Sequence, residues 1–299
     1  MWTELLSKVK IGDVKALARC ISFIENEYAG YEQLLQNLTH THTPKVIGIT
    51  GPPGAGKSTL TDALISEIVN QQKRVAVLCV DPSSPFNLGA VLGDRIRMSN
   101  WYTHPHVFIR SLATRGALGG LHPKIIEITD LLKTAPFDFI IVETVGVGQS
   151  EIEIAGLADV TTVVVVPEAG DEVQTMKAGL MEIADVFVVN KSDRPDADIF
   201  VKNLQQMLAP AFSKHEQDVP VLKTVAATQE GVAELFQVLL HLLTKAQNSD
   251  NQLWLLAEKA FQLIQQKRMK GIDKEMLKKE IAQQLPQGGF NLYRFIADK

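Results

Sequence analysis

Apolar positions along the first forty residues recur at helical spacing. Leu5, Leu6 and Val9 form one stripe and Leu17, Ile21 and Ile24 another, with Gly12-Asp13 marking a break and a new helix start between them. After the polar stretch Thr39–Pro44 the period changes. Short runs apolar on both faces now alternate with helix-length amphipathic segments: VIGIT (46–50), VAVLCV (75–80), VFIR (107–110), FIIVE (139–143), TTVVVV (161–166), VFVVN (186–190) and VLKTV (221–225). Strands buried on both faces and separated by helices predict a mostly parallel sheet flanked by helices, an α/β fold. Beyond about Ala246 the strand pattern stops, and QLWLLAEKAFQLIQQKRMKG and DKEMLKKEIAQQL predict two helices joined near Gly271. The expected organisation is an N-terminal helical extension (1–43), an α/β domain (44–246) and a C-terminal helical segment (247–299).

Composition narrows this picture without redirecting it. The chain has 299 residues, 45% of them apolar, and a formal charge of −4, which gives no reason to expect nucleic acid or an anionic membrane as partner. Cys20 and Cys79 form neither a disulfide framework nor a metal-spaced pair, as expected of a reducing cytoplasm. The opening MWTELLSKVK carries charges and no apolar h-region, and the run around VTTVVVV is too short to span a bilayer. A soluble cytoplasmic protein is the expectation.

Candidate chemistry concentrates where strands end. GPPGAGKS, Gly51 to Ser58, lies between a strand and a helix and matches Gly-x4-Gly-Lys-Ser, the phosphate-binding P-loop. The loop Gly51, Pro52, Pro53, Gly54, Ala55, Gly56, Lys57, Ser58 and Thr59 can wrap phosphate at a helix N-terminus, its non-proline residues turning backbone N–H groups inward. Lys57 can reach the β- and γ-phosphates and Ser58 can ligate Mg²⁺. VFVVNKSD ends a strand with Asn190, Lys191 and Asp193, and a carboxylate there accepts both guanine N–H groups, which adenine cannot offer. A second loop, TVAAT, would lie beside the base, with Ala226 contributing through its backbone. Three acids are candidates for the metal side: Asp81 in VDPSSP, Asp94 in LGDRIRM and Glu143 ending FIIVE. Asp81 also suits a turn before Pro82. The His40/His42 and His104/His106 pairs lack companion cysteines, and Arg110 and Arg115 suit phosphate, a partner or surface salt bridges alike.

The combination GITGPPGAGKSTL, VLCVDPSSP, LGDRIRM, FIRSLATRGALGGL, VETVGVGQSE and GDEVQTMKAGLMEIADVFVVNKSD resembles the MeaB/ArgK/MMAA GTPases over roughly residues 5–245. That family belongs to the SIMIBI-type P-loop GTPases, whose third motif carries Glu in place of Asp. The resemblance implies a homodimeric G-protein chaperone of an adenosylcobalamin-dependent acyl-CoA mutase, chiefly methylmalonyl-CoA mutase, which gates cofactor loading and protects the mutase. It implies GTP or GDP with Mg²⁺, slow turnover without the partner, and Lys57 and Glu143 as the catalytic pair. Ser58, Asp81, Asp94 and Glu143 would surround the metal, with Glu143 acting through a water, and Asn190, Lys191, Asp193 and Ala226 would select guanine. Gly146 and Gln149 fall in the switch motif, where Val147-Gly148 displace Gln149 from the usual water-orienting place. Asp171 and Lys177 lie in the stretch 168–177 that would report nucleotide state to the mutase. Asn87-Leu88 and Arg95-Ile96 depart from the family's switch loop, and the C-terminal dimerisation arm reads short.

Two other readings compete. Relatives labelled as ATPases or kinases of basic amino-acid transport would use ATP, against which NKSD argues. A metallochaperone GTPase shares the Glu variant but carries Cys/His metal sites. No Asp-x-His-x-x-Gly motif marks the chain as a cobalamin carrier itself.

Overall fold

The computed structural model describes residues 2–40, 42–81, 98–115, 121–145, 151–169, 178–211, 219–245, 250–269, 272–285 and 290–297. They fall into two compact units, Met1–Leu253 and Trp254–Lys299.

The first unit opens with α1 (Trp2–Lys10), α2 (Val14–Glu25) and α3 (Tyr31–Gln36). Gly12, at φ +86°, makes the turn, and the Asp13 carboxylate caps α2 by accepting from the Ala16 N–H at 2.9 Å. Seven strands follow: β1 (Lys45–Thr50), β2 (Val75–Asp81), β3 (Val107–Ala113), β4 (Phe139–Glu143), β5 (Val160–Val165), β6 (Val186–Asn190) and β7 (Val221–Thr224). They form one sheet in the order β3-β2-β4-β1-β5-β6-β7, every pairing parallel. The expected parallel α/β sheet is therefore present. β3 runs three residues past the predicted VFIR, because Leu112 and Ala113 are buried and keep pairing with β2.

The helices α4 (Lys57–Asn70), α5 (Ile125–Leu132), α6 (Glu151–Leu157), α7 (Ala178–Ile183), α8 (Ala197–Ala211) and α9 (Val232–Lys245) accompany the strands. Pleating divides β1 between two faces. Ile47 and Ile49 join Leu60, Leu64 and Ile68 of α4 and Leu235, Phe236 and Leu239 of α9 in the main core. Gly48 points the other way, where a Cβ would come within 2.7 Å of Ile154 on α6, so the absent side chain sets how closely that helix packs.

At the N-terminal ends of the strands one device occurs three times. Asp138, Asp159 and Asp185 each directly precede a strand, and each carboxylate accepts a backbone N–H at the start of the neighbouring strand. The donors are Arg74, Val46 and Thr161, at 2.8, 2.7 and 2.7 Å.

The second unit is helical. α10 (Asp250–Arg268) runs into it and is followed by α11 (Lys274–Gln284) and by α12 (Leu292–Ala297), which periodicity did not announce. Several of its large apolar side chains are open to solvent, with Trp254, Phe261 and Tyr293 69%, 64% and 79% exposed, whereas Phe295 is buried. Among the described residues no helix is long and apolar enough to cross a membrane.

Candidate nucleotide site

β1 delivers the chain to the centre of the sheet's C-terminal rim, where residues 51–56 turn into α4. Glycine is required at two points of this loop. Gly51 has φ +140°, and a Cβ there would lie 2.1 Å from the Val164 carbonyl oxygen of β5. Gly56 has φ +87°, and its Cβ would lie 2.4 Å from Asn190 Nδ2. The loop is thus pressed against β5 on one side and the end of β6 on the other. Lys57 opens α4 with its ammonium folded back over the loop, donating to the carbonyls of Gly51 and Pro52 at 3.0 Å each.

The acids sit beside the start of α4. Glu143, the last residue of β4, is 4% exposed. Its Oε1 accepts from the Ser58 hydroxyl at 2.6 Å and its Oε2 from the Thr61 hydroxyl at 2.9 Å. Asp81 is buried at the end of β2. Because Cys79 stands in register with Glu143, the pleat puts Asp81 on the same face of the sheet as Glu143, two residues farther along. Thr144 joins β4 to β1, donating its hydroxyl to Thr50 Oγ1 at 2.9 Å. The oxygens gathered here are hydroxyl and carboxylate, a hard donor set of the kind Mg²⁺ takes.

Across the loop, Asn190 is almost fully buried and works as a three-way joint. Its amide nitrogen donates to the Ala55 carbonyl at 3.0 Å, while its oxygen accepts from the Thr224 hydroxyl at 3.1 Å and the Ala226 N–H at 3.0 Å. Lys191, held at φ +57°, donates to the Gly54 carbonyl at 2.8 Å. Asp193 stays exposed on the same turn, and Arg194 beside it forms an ion pair with Glu168. One motif therefore grips the P-loop and the following strand while leaving a carboxylate free to face solvent.

The structure brings together the loop 51–59, Asp81, Glu143, Asn190, Lys191, Asp193 and Ala226. Asp94, Gly146, Gln149, Asp171, Lys177 and the altered residues Asn87-Leu88 and Arg95-Ile96 lie outside the described residues. Thr61 belongs to the network although no motif contains it, and Thr224, which opens the TVAAT loop, joins it through Asn190. Thr61 is detectable only as the residue three places after Ser58, on the same helical face.

Arg110 and Arg115 turn away from this rim. Arg110 donates to Glu25 Oε2 at 2.6 Å, and Arg115 donates to Glu25 Oε1 at 3.2 Å, to the Glu25 carbonyl at 2.7 Å and to Asn26 Oδ1 at 2.9 Å. They fasten the end of α2 to β3 and the residues after it. Close by, His122 is 2% exposed, and burial holds its imidazole down at about 4, keeping it neutral. Its Nδ1 accepts from the Lys124 N–H at 3.0 Å, so the ring proton belongs on Nε2. His104 and His106 stack edge to face at 5.6 Å, and no cluster of three or more His, Cys, Asp or Glu suited to a metal occurs among the described residues.

Comparison with known proteins now fixes the lineage. Residues 17–281 match the family described as methylmalonyl Co-A mutase-associated GTPase MeaB. The chain belongs to the MeaB family of GTPases. It is 48% identical over 238 residues to PH0274 of Pyrococcus horikoshii, named as a GTPase, covering 78% of this chain and 75% of that one. It is 34% identical over 251 residues to the GTPase ArgK of Escherichia coli, covering 81% and 76%. A fused isobutyryl-CoA mutase of Geobacillus kaustophilus is 35% identical over 259 residues, which span 81% of this chain but 24% of that polypeptide. The crystal structure of a LAO/AO transport system kinase superposes with a TM-score of 0.68 at 23% identity over 99% of this chain and 95% of that one, a likeness of fold. As a MeaB-family member the chain is a P-loop GTPase, in agreement with the expected fold and reaction.

Proposed function

We propose that this GTPase is a Mg²⁺-dependent chaperone of an adenosylcobalamin-dependent acyl-CoA mutase, gating cofactor loading and protecting the mutase. The observation that carries the reading is the relative in which a segment similar to 81% of this chain is part of a fused isobutyryl-CoA mutase. A GTPase and a mutase joined in one polypeptide work at fixed proximity; as separate chains they need a binding surface instead.

On this reading the backbone N–H groups of the non-proline residues in 51–59 and the Lys57 ammonium hold the β- and γ-phosphates. Ser58, Asp81 and Glu143, with Asp94, hold Mg²⁺, which neutralises phosphate charge when bound; Glu143 acts through a water. Asp193 receives the guanine N–H groups, Lys191 lies along the base, and Asn190 keeps both at a fixed distance from the P-loop and from Ala226. Gly146, Gln149, Asp171 and Lys177 couple nucleotide state to the mutase. The second unit supplies a homodimer contact: its exposed apolar side chains are accompanied by nine Lys/Arg against five Asp/Glu over residues 254–299, opposite in sign to the whole chain.

Calorimetric titration with GDP, a non-hydrolysable GTP analogue and ATP, each with Mg²⁺, tests the nucleotide half. Guanine binding without ATP binding is expected, and preference for ATP would move a kinase or ATPase reading to the front. For the mutase half, the GTPase is mixed with purified methylmalonyl-CoA and isobutyryl-CoA mutases. One of them is expected to raise kcat for GTP, and transfer of adenosylcobalamin to that mutase is expected to depend on the nucleotide; indifference in both assays overturns the chaperone reading.

A further inference from the structure

Glu143 differs from a shorter aspartate in needing one more torsion fixed before its carboxylate has a definite position. The structure shows what fixes it. Ser58 and Thr61 stand three residues apart on α4, hence on one face of the helix. The Ser58 hydroxyl takes Oε1 at 2.6 Å and the Thr61 hydroxyl takes Oε2 at 2.9 Å, so one helix grips both oxygens of a buried carboxylate. Thr61 is fully buried, and its hydroxyl also lies 3.0 Å from the Lys57 carbonyl, the acceptor a helical threonine ordinarily uses. A hydroxyl has one proton to give, and an ionised carboxylate is the stronger acceptor of the two.

We propose that Thr61 is a positioning residue for the GTPase reaction, holding Glu143 Oε2 so that Oε1 stays on the Ser58 hydroxyl. Oxygen lone pairs of Ser58 then remain directed away from Glu143, available to a cation, while its proton is already committed. The part of Thr61 in the reaction is exercised through Glu143, the side chain its hydroxyl meets. The proposal rests on the reading of Ser58 and Glu143 as the cation side of the site.

The test compares Thr61→Val, which keeps the shape and loses the hydroxyl, with Thr61→Ser, which keeps the hydroxyl. For each, kcat and KM for GTP are measured, together with GDP affinity in chelator and the Mg²⁺ concentration that half-restores tight binding of a GTP analogue. Thr61→Val is expected to lower kcat about tenfold and raise the Mg²⁺ midpoint by a similar factor, the size of one hydrogen bond to a charged group. KM and chelator-state GDP affinity should stay within about twofold and Thr61→Ser should restore both losses. In a Glu143→Asp background, whose carboxylate is too short to span both hydroxyls, Thr61→Val should cost nothing further. Should valine prevent folding, Thr61→Ala is read by the same criteria.

Unchanged kcat and Mg²⁺ midpoint in Thr61→Val would overturn the proposal, and so would equal losses in the serine and valine variants, which mark a packing role. Ser58→Ala separates the two levels. If it leaves the Mg²⁺ midpoint untouched, the cation-side reading fails; if it shifts the midpoint and Thr61→Val does not, only the role of Thr61 fails.

Discussion

The two ends of the sheet use the same kinds of side chain for opposite purposes. At the N-terminal rim Asp138, Asp159 and Asp185 point along the sheet and satisfy backbone donors of the next strand. At the C-terminal rim Thr144 bonds Thr50, Glu143 accepts from Ser58 and Thr61 of α4, and Asn190 joins Thr224 and Ala226 to the P-loop, so that four strand ends and the loop share one polar frame. Polar groups at the lower rim close the backbone account of a buried sheet. Those at the upper rim hold a loop of glycines open toward a ligand. A change below should therefore move stability and leave nucleotide preference alone, while a change above should do the reverse.

The sharpest break of that contrast is Lys57→Ala. Without the ammonium the phosphate charge goes unmet, and GTP affinity should fall at least about a thousandfold, or ~4 kcal/mol, with little change in melting temperature. Undiminished binding in calorimetry would remove the P-loop assignment. Next in size is acid sensitivity away from both rims, at His122. Its folded-state pKa, about 4, lies below the ordinary 6.5, so the unfolded chain binds the extra proton first. Stability should be fully present above pH 6.5 and fall by up to about 3 kcal/mol as pH drops toward 4. Denaturant titrations across that range read the effect, and His122→Gln should flatten it.

Asp193→Asn comes third. GTP should bind about thirtyfold more weakly, ~2 kcal/mol, while xanthine nucleotides are spared because the amide donates to the xanthine carbonyl. An unaltered base preference in competition binding would contradict guanine selection by this loop. The smallest change belongs to the lower rim. Burial raises the Asp185 pKa, so its folded form favours the proton and the carboxylate detracts from stability once pH rises above the folded-state value. Asp185→Asn keeps an acceptor for the Thr161 N–H. Its unfolding free energy at neutral pH should match or exceed that of the wild type by roughly 0–1 kcal/mol in denaturant titration, with GDP affinity unaltered.

Much of the frame at the upper rim was legible in the sequence because its residues fall in two motifs of fixed spacing, GPPGAGKS and NKSD. The strands were legible because a sheet covered on both faces leaves runs such as TTVVVV with no polar alternation. The lower rim was not read, although FDF, ADV and ADV place an Asp directly before β4, β5 and β6. Thr61 escaped because threonine on a helix face is ordinary until the acid it meets, 82 residues away, is known. The pairing of Arg110 and Arg115 with Glu25 is equally invisible along the chain, since it closes over 85 to 90 residues. α12 was missed because six residues are too few to display a period.

The position of β1 has a consequence for synthesis. This strand and the P-loop are made before their partners, since β1 lies mid-sheet between β4 and β5, which follow it in the chain. The lock on the loop, Asn190 to Ala55, closes across 135 residues, and Thr224 completes it. Such distant pairings form slowly and late. A nascent chain therefore carries the P-loop sequence with no frame to hold it until β6 and β7 have been made. A ligand that binds only the locked loop stabilises the chain after these distant contacts have closed, so its capture is expected to follow the docking of β6 and β7.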